Sequence, residues 1–213
     1  MDKKLNKGVF ITFEGIDGCG KSVQSRRLAA YLQKKGYKCR LTFEPGDCAL
    51  GEELRRVLLK SPAGSLSART EALLFATARA QHVDEVIIPA LKRGEIVICD
   101  RFIDSTIAYQ GAGRGLDIKF LQALNAFATD GLEPDLTFVL RVSVATSLGR
   151  RKQDFDRIEE EGKVFFSLIA DAYSLLAEQN PQRIKVIDGE ADEDKVFAQI
   201  CQKLEQFLAS EGE

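Results

Sequence analysis

Residues 9–22 read Val-Phe-Ile-Thr-Phe-Glu-Gly-Ile-Asp-Gly-Cys-Gly-Lys-Ser. The β-branched and aromatic run Val9 to Phe13 predicts a short buried strand. It stops at Gly15, and Gly15-Ile16-Asp17-Gly18-Cys19-Gly20-Lys21-Ser22 satisfies the spacing G-x-x-x-x-G-K-[ST]. From Ser22 to Lys35, apolar Leu28, Ala29 and Leu32 share one helical face before a stop at Gly36. Strand, glycine-rich turn and helix in that order are the context the spacing requires. Small residues let the main chain curl so that successive N–H groups point inward at phosphate oxygens, and the helix start adds the positive end of its dipole. Lys21 would reach the β- and γ-phosphates of a nucleotide, and the Ser22 hydroxyl would ligate Mg²⁺. A glycine-rich turn matching by chance is the competing reading, and the flanking strand and helix weigh against it.

Outward from this stretch, β-rich runs alternate with helical ones. Strands are predicted at Cys39 to Phe43, Glu95 to Cys99, Leu136 to Val142 and Ile184 to Ile187. Helices are predicted at Leu50 to Leu59, from Ser67 as far as Lys92 with Pro89 bending it, near Ser105–Tyr109, at Asp117–Ala128, from Val144 into the charged run RRKQDFDRIEEE, at about 163–178, and at Glu193 to Leu208. Alternation without a Gly/Ser linker implies one α/β domain with a mostly parallel sheet. The continuously apolar strands fit a sheet covered on both faces.

Composition narrows the functional classes. Among 213 residues, 30 Lys+Arg oppose 32 Asp+Glu, so a protein acting mainly through a basic nucleic-acid footprint is not expected. No apolar run approaches the ~20 residues that span a bilayer, and the polar start MDKKLNKG does not read as a signal peptide, so no membrane partner is expected. Five scattered cysteines without a C-x-x-C pair argue against a disulfide framework or zinc site, and a reduced, cytoplasmic setting fits best.

A second site element is Ile96-Val-Ile-Cys-Asp100-Arg101. It delivers a carboxylate at a strand's carboxyl end, where open α/β sheets place ligands. Asp100 would orient Mg²⁺ or its water and Arg101 would hold an anionic oxygen; alternatively Asp100 merely ends a strand. Guanine-selective N-K-x-D is absent, but GTPases aside, ATPases, small-molecule kinases and adapters remain open. Phe75 and Arg79 stand at i, i+4, so a ring and a guanidinium share a helix face suited to a nucleobase; a core Phe beside a solvated Arg is the plainer account. Gly111 to Gly115 reads as a flexible connection before a second anion loop, and His82 as a structural hydrogen-bonder before a catalyst. Arg150, Arg151, Lys152 and Arg157 form either a solvated face or a mobile, arginine-bearing lid.

Taken together, FEGIDGCGKS (13–22), EPG (44–46), ARAQHV (78–83) with Phe75 upstream, DRFIDSTIAYQGAGRG (100–115) and DRIE (156–159) resemble the bacterial thymidylate kinase (dTMP kinase) family, over roughly Gly8 to Gly189. The resemblance implies a P-loop NTPase fold, a three-layer α/β/α domain over 1–213 whose five-stranded parallel sheet has the order 2-3-1-4-5. It implies a lid at about 148–160, ATP with Mg²⁺ (on Ser22 and Asp100), transfer to dTMP, and a homodimer. By resemblance, ATP lies on Gly15, Ile16, Asp17, Gly18, Cys19, Gly20, Lys21 and Ser22. Asp17 would face the sugar 3′-hydroxyl, Glu44 and Pro45 would line the monophosphate site, and Arg55 and Arg101 would hold its phosphate. Phe75 would stack on thymine, Arg79 would reach O4, Thr106 and Gln110 would stand at the base edge, and Tyr109 would close the sugar side. Lys21, Arg101 and the lid arginines Arg150, Arg151 and Arg157 would stabilise the transferring group. Gly18 stands where some members carry a catalytic arginine, which implies the type that places it in the lid. A related nucleotide or deoxynucleoside kinase, or a non-catalytic ATP-binding module, is the alternative.

The chain departs from the family pattern in three places. Phe43-Glu-Pro-Gly-Asp47-Cys48 replaces Arg-Glu-Pro-Gly-Gly-Thr, which removes a positive charge, adds a negative one, and predicts a raised KM for the monophosphate. The lid looks about two residues short. Cys19 replaces the usual alanine, and a thiol at a helix N-terminus is expected to be acidic and alkylated unless ATP protects it.

Overall fold

The apolar runs pair as a five-stranded, all-parallel sheet in the order β2-β3-β1-β4-β5, with β1 Val9–Glu14, β2 Cys39–Phe43, β3 Ile96–Asp100, β4 Leu136–Arg141 and β5 Ile184–Asp188. The computed structural model describes residues 7–62, 64–150 and 156–210. Helices α1 Lys21–Lys34 and α9 Glu193–Ser210 pack on one another, α1 over β1–β3 and α9 on β5; α4 Ile88–Lys92 lies on β3 and α8 Lys163–Gln179 on β4 and β5. The order and helical layers agree with what the resemblance implies, and right-handed crossovers place helices on both faces of the sheet. The core is built from both faces of the central strands. Phe13 meets Phe138 with ring centroids 5.3 Å apart, and Phe10 meets Phe102 edge-on at 4.8 Å.

Register positions the site. Phe13 of β1 and Phe43 of β2 both stand opposite Asp100 of β3, so the chain leaves all three strands at one level. The bonds Arg101 N to Phe13 O (2.9 Å) and Glu44 N to Asp100 O (3.0 Å) carry the alignment one residue past the sheet. Glu14, Glu44 and Arg101 therefore emerge side by side.

Most element boundaries agree with the sequence reading within one or two residues; two helices do not. The helix expected from Ser67 to Lys92 is α3 Ala68–His82, a π-helical stretch Val83–Ile87, and then α4. Pro89 has no N–H to donate back into the preceding turn, and the ladder widens before it. The helix expected near Ser105–Tyr109 is one α-turn, α5 Ile103–Thr106, running into a π-helix over Ile107–Gly113. The first residues of the supposed flexible segment 111–115 are thus helical, and a Cβ on Gly111 would meet Ile118 Cδ1 at 2.4 Å. The remaining helices are α2 Ala49–Lys60, α6 Ile118–Thr129 and α7 Val144–Arg150. The continuation of α7 through residues 151–155 lies outside the described residues.

Phe138 is fully buried at the centre of the sheet. Phe138→Ala is expected to destabilise the protein by about 3–5 kcal/mol, read as a lower urea midpoint at unchanged slope.

Candidate nucleotide site

The loop after β1 wraps back on itself. Gly15 has φ 134°, and a Cβ there would lie 2.6 Å from the Leu140 carbonyl oxygen and 2.9 Å from Cys19 Sγ. Gly20, at φ 100°, turns the chain into α1. Only glycine takes up such positions without strain, which accounts for its recurrence in the motif. Lys21 folds over the loop, with Nζ 3.0 Å from Gly15 O and 3.1 Å from Ile16 O. The Ser22 hydroxyl donates to Asp100, bringing the two oxygen donors expected to serve a divalent cation into contact.

Arg101 ties this loop to the opposite wall. Its φ is 72°, unusual for a non-glycine residue. One end of the guanidinium reaches Gly15 O (3.2 Å) and Ser105 Oγ (3.1 Å); the other pairs with Asp17 and donates to Tyr109 Oη (2.9 Å). Tyr109 in turn donates to Asp17 Oδ2 at 2.7 Å. Burial alone would push the Asp17 carboxyl up, but Arg101 and Lys21 beside it, with the Tyr109 bond, hold it well below the usual carboxylate range.

The far wall is a buried polar lattice. Arg79 is 2% exposed and donates from Nε to Glu44 (2.8 Å), from Nη1 to Thr106 (2.7 Å) and Asn125 (2.6 Å), and from Nη2 to the Phe102 carbonyl (3.0 Å). Four of its five N–H groups are engaged, which leaves one on Nη2. Glu44 also meets His82 Nδ1 at 3.0 Å, and His82 Nε2 lies 2.6 Å from Thr42 Oγ1, so the histidine is a fully buried structural hydrogen-bonder. Gln110 donates to Glu71 at 2.9 Å. Arg55 donates to the Pro45 carbonyl at 2.8 Å and stacks over the Phe43 ring.

Between these walls lies a cavity of about 1010 Å³, open at the carboxyl ends of the strands. Asp17, Gly18, Cys19, Gly20, Lys21, Ser22, Glu44, Pro45, Arg55, Phe75, Arg79, Asp100, Arg101, Thr106, Tyr109, Gln110 and Arg150 all line it. Gly15 and Ile16 form the turn beneath and do not line it.

Several expectations are corrected. Arg157 does not face the cavity: its Nη2 pairs with buried Glu71 at 2.7 Å and its Nε donates to the Leu58 carbonyl at 2.9 Å, a tie that holds this segment to α2 and α3. Arg151 lies outside the described residues. Arg114 of the glycine-rich segment is no anion receptor either, since Glu71 and Glu161 take its guanidinium. Cys19 is 2% exposed, and burial pushes its thiol up despite Lys21 and Arg101 nearby, so it is not an acidic, reactive thiol. Asp47 does not send its charge into the cavity. Its Oδ2 accepts from Arg40 (2.8 Å) and Thr42 (2.5 Å), which takes the added negative charge out of the case for a raised KM and leaves only the arginine that Phe43 replaces. Sequence reading missed Asn125 and Glu71, which accept from Arg79 and Gln110, and gave Glu14 no role although it stands inside the quoted stretch.

Fold and site together define a P-loop nucleotide-binding protein whose cavity runs from the phosphate loop to the wall of Phe75, Arg79, Thr106 and Gln110. The family model for thymidylate kinase matches residues 13–200. Thymidylate kinase of Desulfovibrio desulfuricans is 45% identical, with 96% of this chain and 98% of that protein covered; that of Symbiobacterium thermophilum is 43% identical, covering 94% of each. A crystal structure of thymidylate kinase from Ehrlichia chaffeensis superposes with a TM-score of 0.77 at 37% identity, over 92% of this chain and 98% of that one. The chain belongs to the thymidylate kinase family.

Native-state labelling with iodoacetamide tests the Cys19 finding. The half-buried Cys39, Cys48 and Cys201 should react before Cys19, and ATP should not alter the order; early, ATP-sensitive labelling of Cys19 would contradict its burial.

Proposed function

We propose that this chain transfers the γ-phosphoryl group of ATP to dTMP, giving dTDP and ADP. The observation that carries this reading is the single cavity in which Arg101 joins the phosphate loop to the Phe75–Arg79 wall. ATP phosphates are held by the main-chain amides of residues 15–22 and by Lys21, with Ile16 and Gly15 shaping the turn. The monophosphate sits across from them. Phe75 stacks on the base, and the remaining Arg79 N–H is the donor for a thymine carbonyl. Thr106 and Gln110 stand at the base edge, Asp17 and Tyr109 meet the sugar, and Arg55 and Arg101 hold the phosphate beside Glu44 and Pro45.

An oxygen of the dTMP phosphate attacks the γ-phosphorus while the bond to the β–γ bridging oxygen breaks, and ADP leaves with that electron pair. The attacking oxygen is already anionic, so no side chain has to remove a proton. Positioning and charge neutralisation are then the whole task, and Lys21, Arg101 and Arg150 supply positive charge, with Arg151 a further source. The lid, about 148–160, excludes water that would otherwise take the phosphoryl group. Ser22 and Asp100 are hard oxygen donors in mutual contact, which fits Mg²⁺. When bound with ATP, the ion would add Lewis-acid charge to the phosphate oxygens.

We further propose a homodimer working in the cytoplasm. The packed pair α3 and α6 exposes Leu73 (52%), Phe120 (55%) and Phe127 (86%), an apolar face that a second copy would cover. No helix among the described residues is long and apolar enough to cross a membrane.

A coupled assay with ATP and a panel of monophosphates should rank dTMP first by kcat/KM, and preference for another base would overturn the substrate assignment. Lys21→Ala should lower turnover by at least a hundredfold. Light scattering should report a dimer that Phe127→Glu converts to monomer; a monomeric wild type rejects the dimer alone.

A further inference from the structure

Glu14 ends β1, is fully buried and does not line the cavity. It nevertheless accepts four hydrogen bonds. Oε1 takes the backbone N–H of Phe102 (2.7 Å) and of Ser105 (3.3 Å); Oε2 takes the hydroxyls of Ser105 (2.6 Å) and Tyr173 (2.8 Å). Three of these donors belong to the turn that follows Arg101. That turn starts from a left-handed arginine, a conformation that persists only where its surroundings impose it. The Ser105 hydroxyl also accepts from Arg101 Nη1, so the carboxylate is two hydrogen bonds from the guanidinium that spans the cavity.

We propose that Glu14 is a positioning residue for phosphoryl transfer: its ionised carboxylate holds the 101–105 turn and thereby aims Arg101 between the phosphate loop and the acceptor. The proposal rests on the dTMP kinase reading for its kinetic consequences, but not for its structural one.

The carboxylate is also poised to titrate near neutrality. Burial, and then the nearby Asp104, push Glu14 up to about 7, opposed by the Ser105 bond, Arg101 and the Tyr173 bond. The charged and titratable groups facing it are Arg101, Asp104 with its bidentate partner Arg183, Tyr173 and Cys99. Once protonated, the group loses the charge that strengthens all four bonds, and one oxygen becomes a donor to which the Ser105 and Tyr173 hydroxyls must turn or the backbone bonds must yield. The hold on Arg101 is complete above that value and weakens below it.

Glu14→Gln tests this. The amide oxygen still accepts the two N–H groups, but without the charge that strengthens such bonds, while its NH₂ faces hydroxyls able to turn, so the fold is retained and the hold on the turn weakens. Expected are a tenfold or larger rise in KM for dTMP with KM for ATP within twofold, and loss of the wild-type decline in kcat/KM as pH falls through about 7. Tyr173→Phe removes a bond to the charged form and should move that decline to higher pH, which keeps the proposal testable if Glu14→Gln folds poorly. Amide hydrogen exchange at Phe102 and Ser105, expressed as protection factors, should fall in Glu14→Gln, and in the wild type below pH 7, with no nucleotide present. Unchanged dTMP kinetics and pH profile in both variants, or a lower Tm with unchanged kinetics, would overturn the proposal. If the wild type fails to phosphorylate dTMP, the functional reading falls by itself, and unchanged protection at Phe102 and Ser105 then decides against Glu14.

Discussion

The Arg101 guanidinium is the constraint around which the site is organised. It is bonded at once to the phosphate loop, through Asp17 and Gly15, and to the wall beyond β3, through Ser105 and Tyr109. Parallel pairing makes this possible. With Phe13 and Phe43 level with Asp100, a single arginine one step past the sheet lies within reach of loops that are far apart in sequence. Displace the register of β3 by one residue, and Arg101 would turn to the other face of the sheet while Asp100 lost Ser22.

The walls follow the same rule of buried charge matched by charge from another element. Glu44 of the loop after β2 meets Arg79 of α3, Glu71 of α3 meets Arg114 and Arg157 from later segments, and Asp104 of α5 meets Arg183 in front of β5. Each isolated partner would be costly to bury. Pairing lets the cavity present fixed donors and acceptors that need little rearrangement when a charged ligand arrives, the condition under which electrostatic stabilisation is most effective. Glu71 illustrates the balance: burial pushes its carboxyl up, yet the bonds from Arg114, Gln110 and Arg157 leave it below its ordinary value.

What the sequence made legible was whatever depends on local chemistry. Gly15 to Ser22 and the five strand runs carry their meaning in spacing alone and occupy the places that spacing implied, whereas the i, i+4 pair Phe75–Arg79 left two readings open, and the structure removes the solvated-arginine one by burying Arg79. Long-range pairings were not legible. Arg150 and Arg157 look alike within one charged run, yet one lines the cavity and the other is buried against Glu71. Nothing near Arg157 in sequence announces a carboxylate 86 positions earlier. The π-helical stretches were missed for a similar reason, since a one-residue insertion in a helix leaves the apolar pattern almost unchanged.

The two misread substitutions share a cause. Asp47 and Cys19 were judged by the charge or reactivity of the residue type, whereas both effects depend on what surrounds the side chain. At φ 57°, Asp47 adopts a conformation that glycine takes readily and aspartate better than most residues. It turns its carboxylate to Arg40 and Thr42, so the substitution preserves the turn while its charge is compensated locally. Cys19 lies under the loop, where Lys21 Nζ covers its sulfur at 3.7 Å and exclusion of water outweighs the neighbouring positive charges. In each case desolvation and a nearby partner decide the chemistry, and the residue type alone does not.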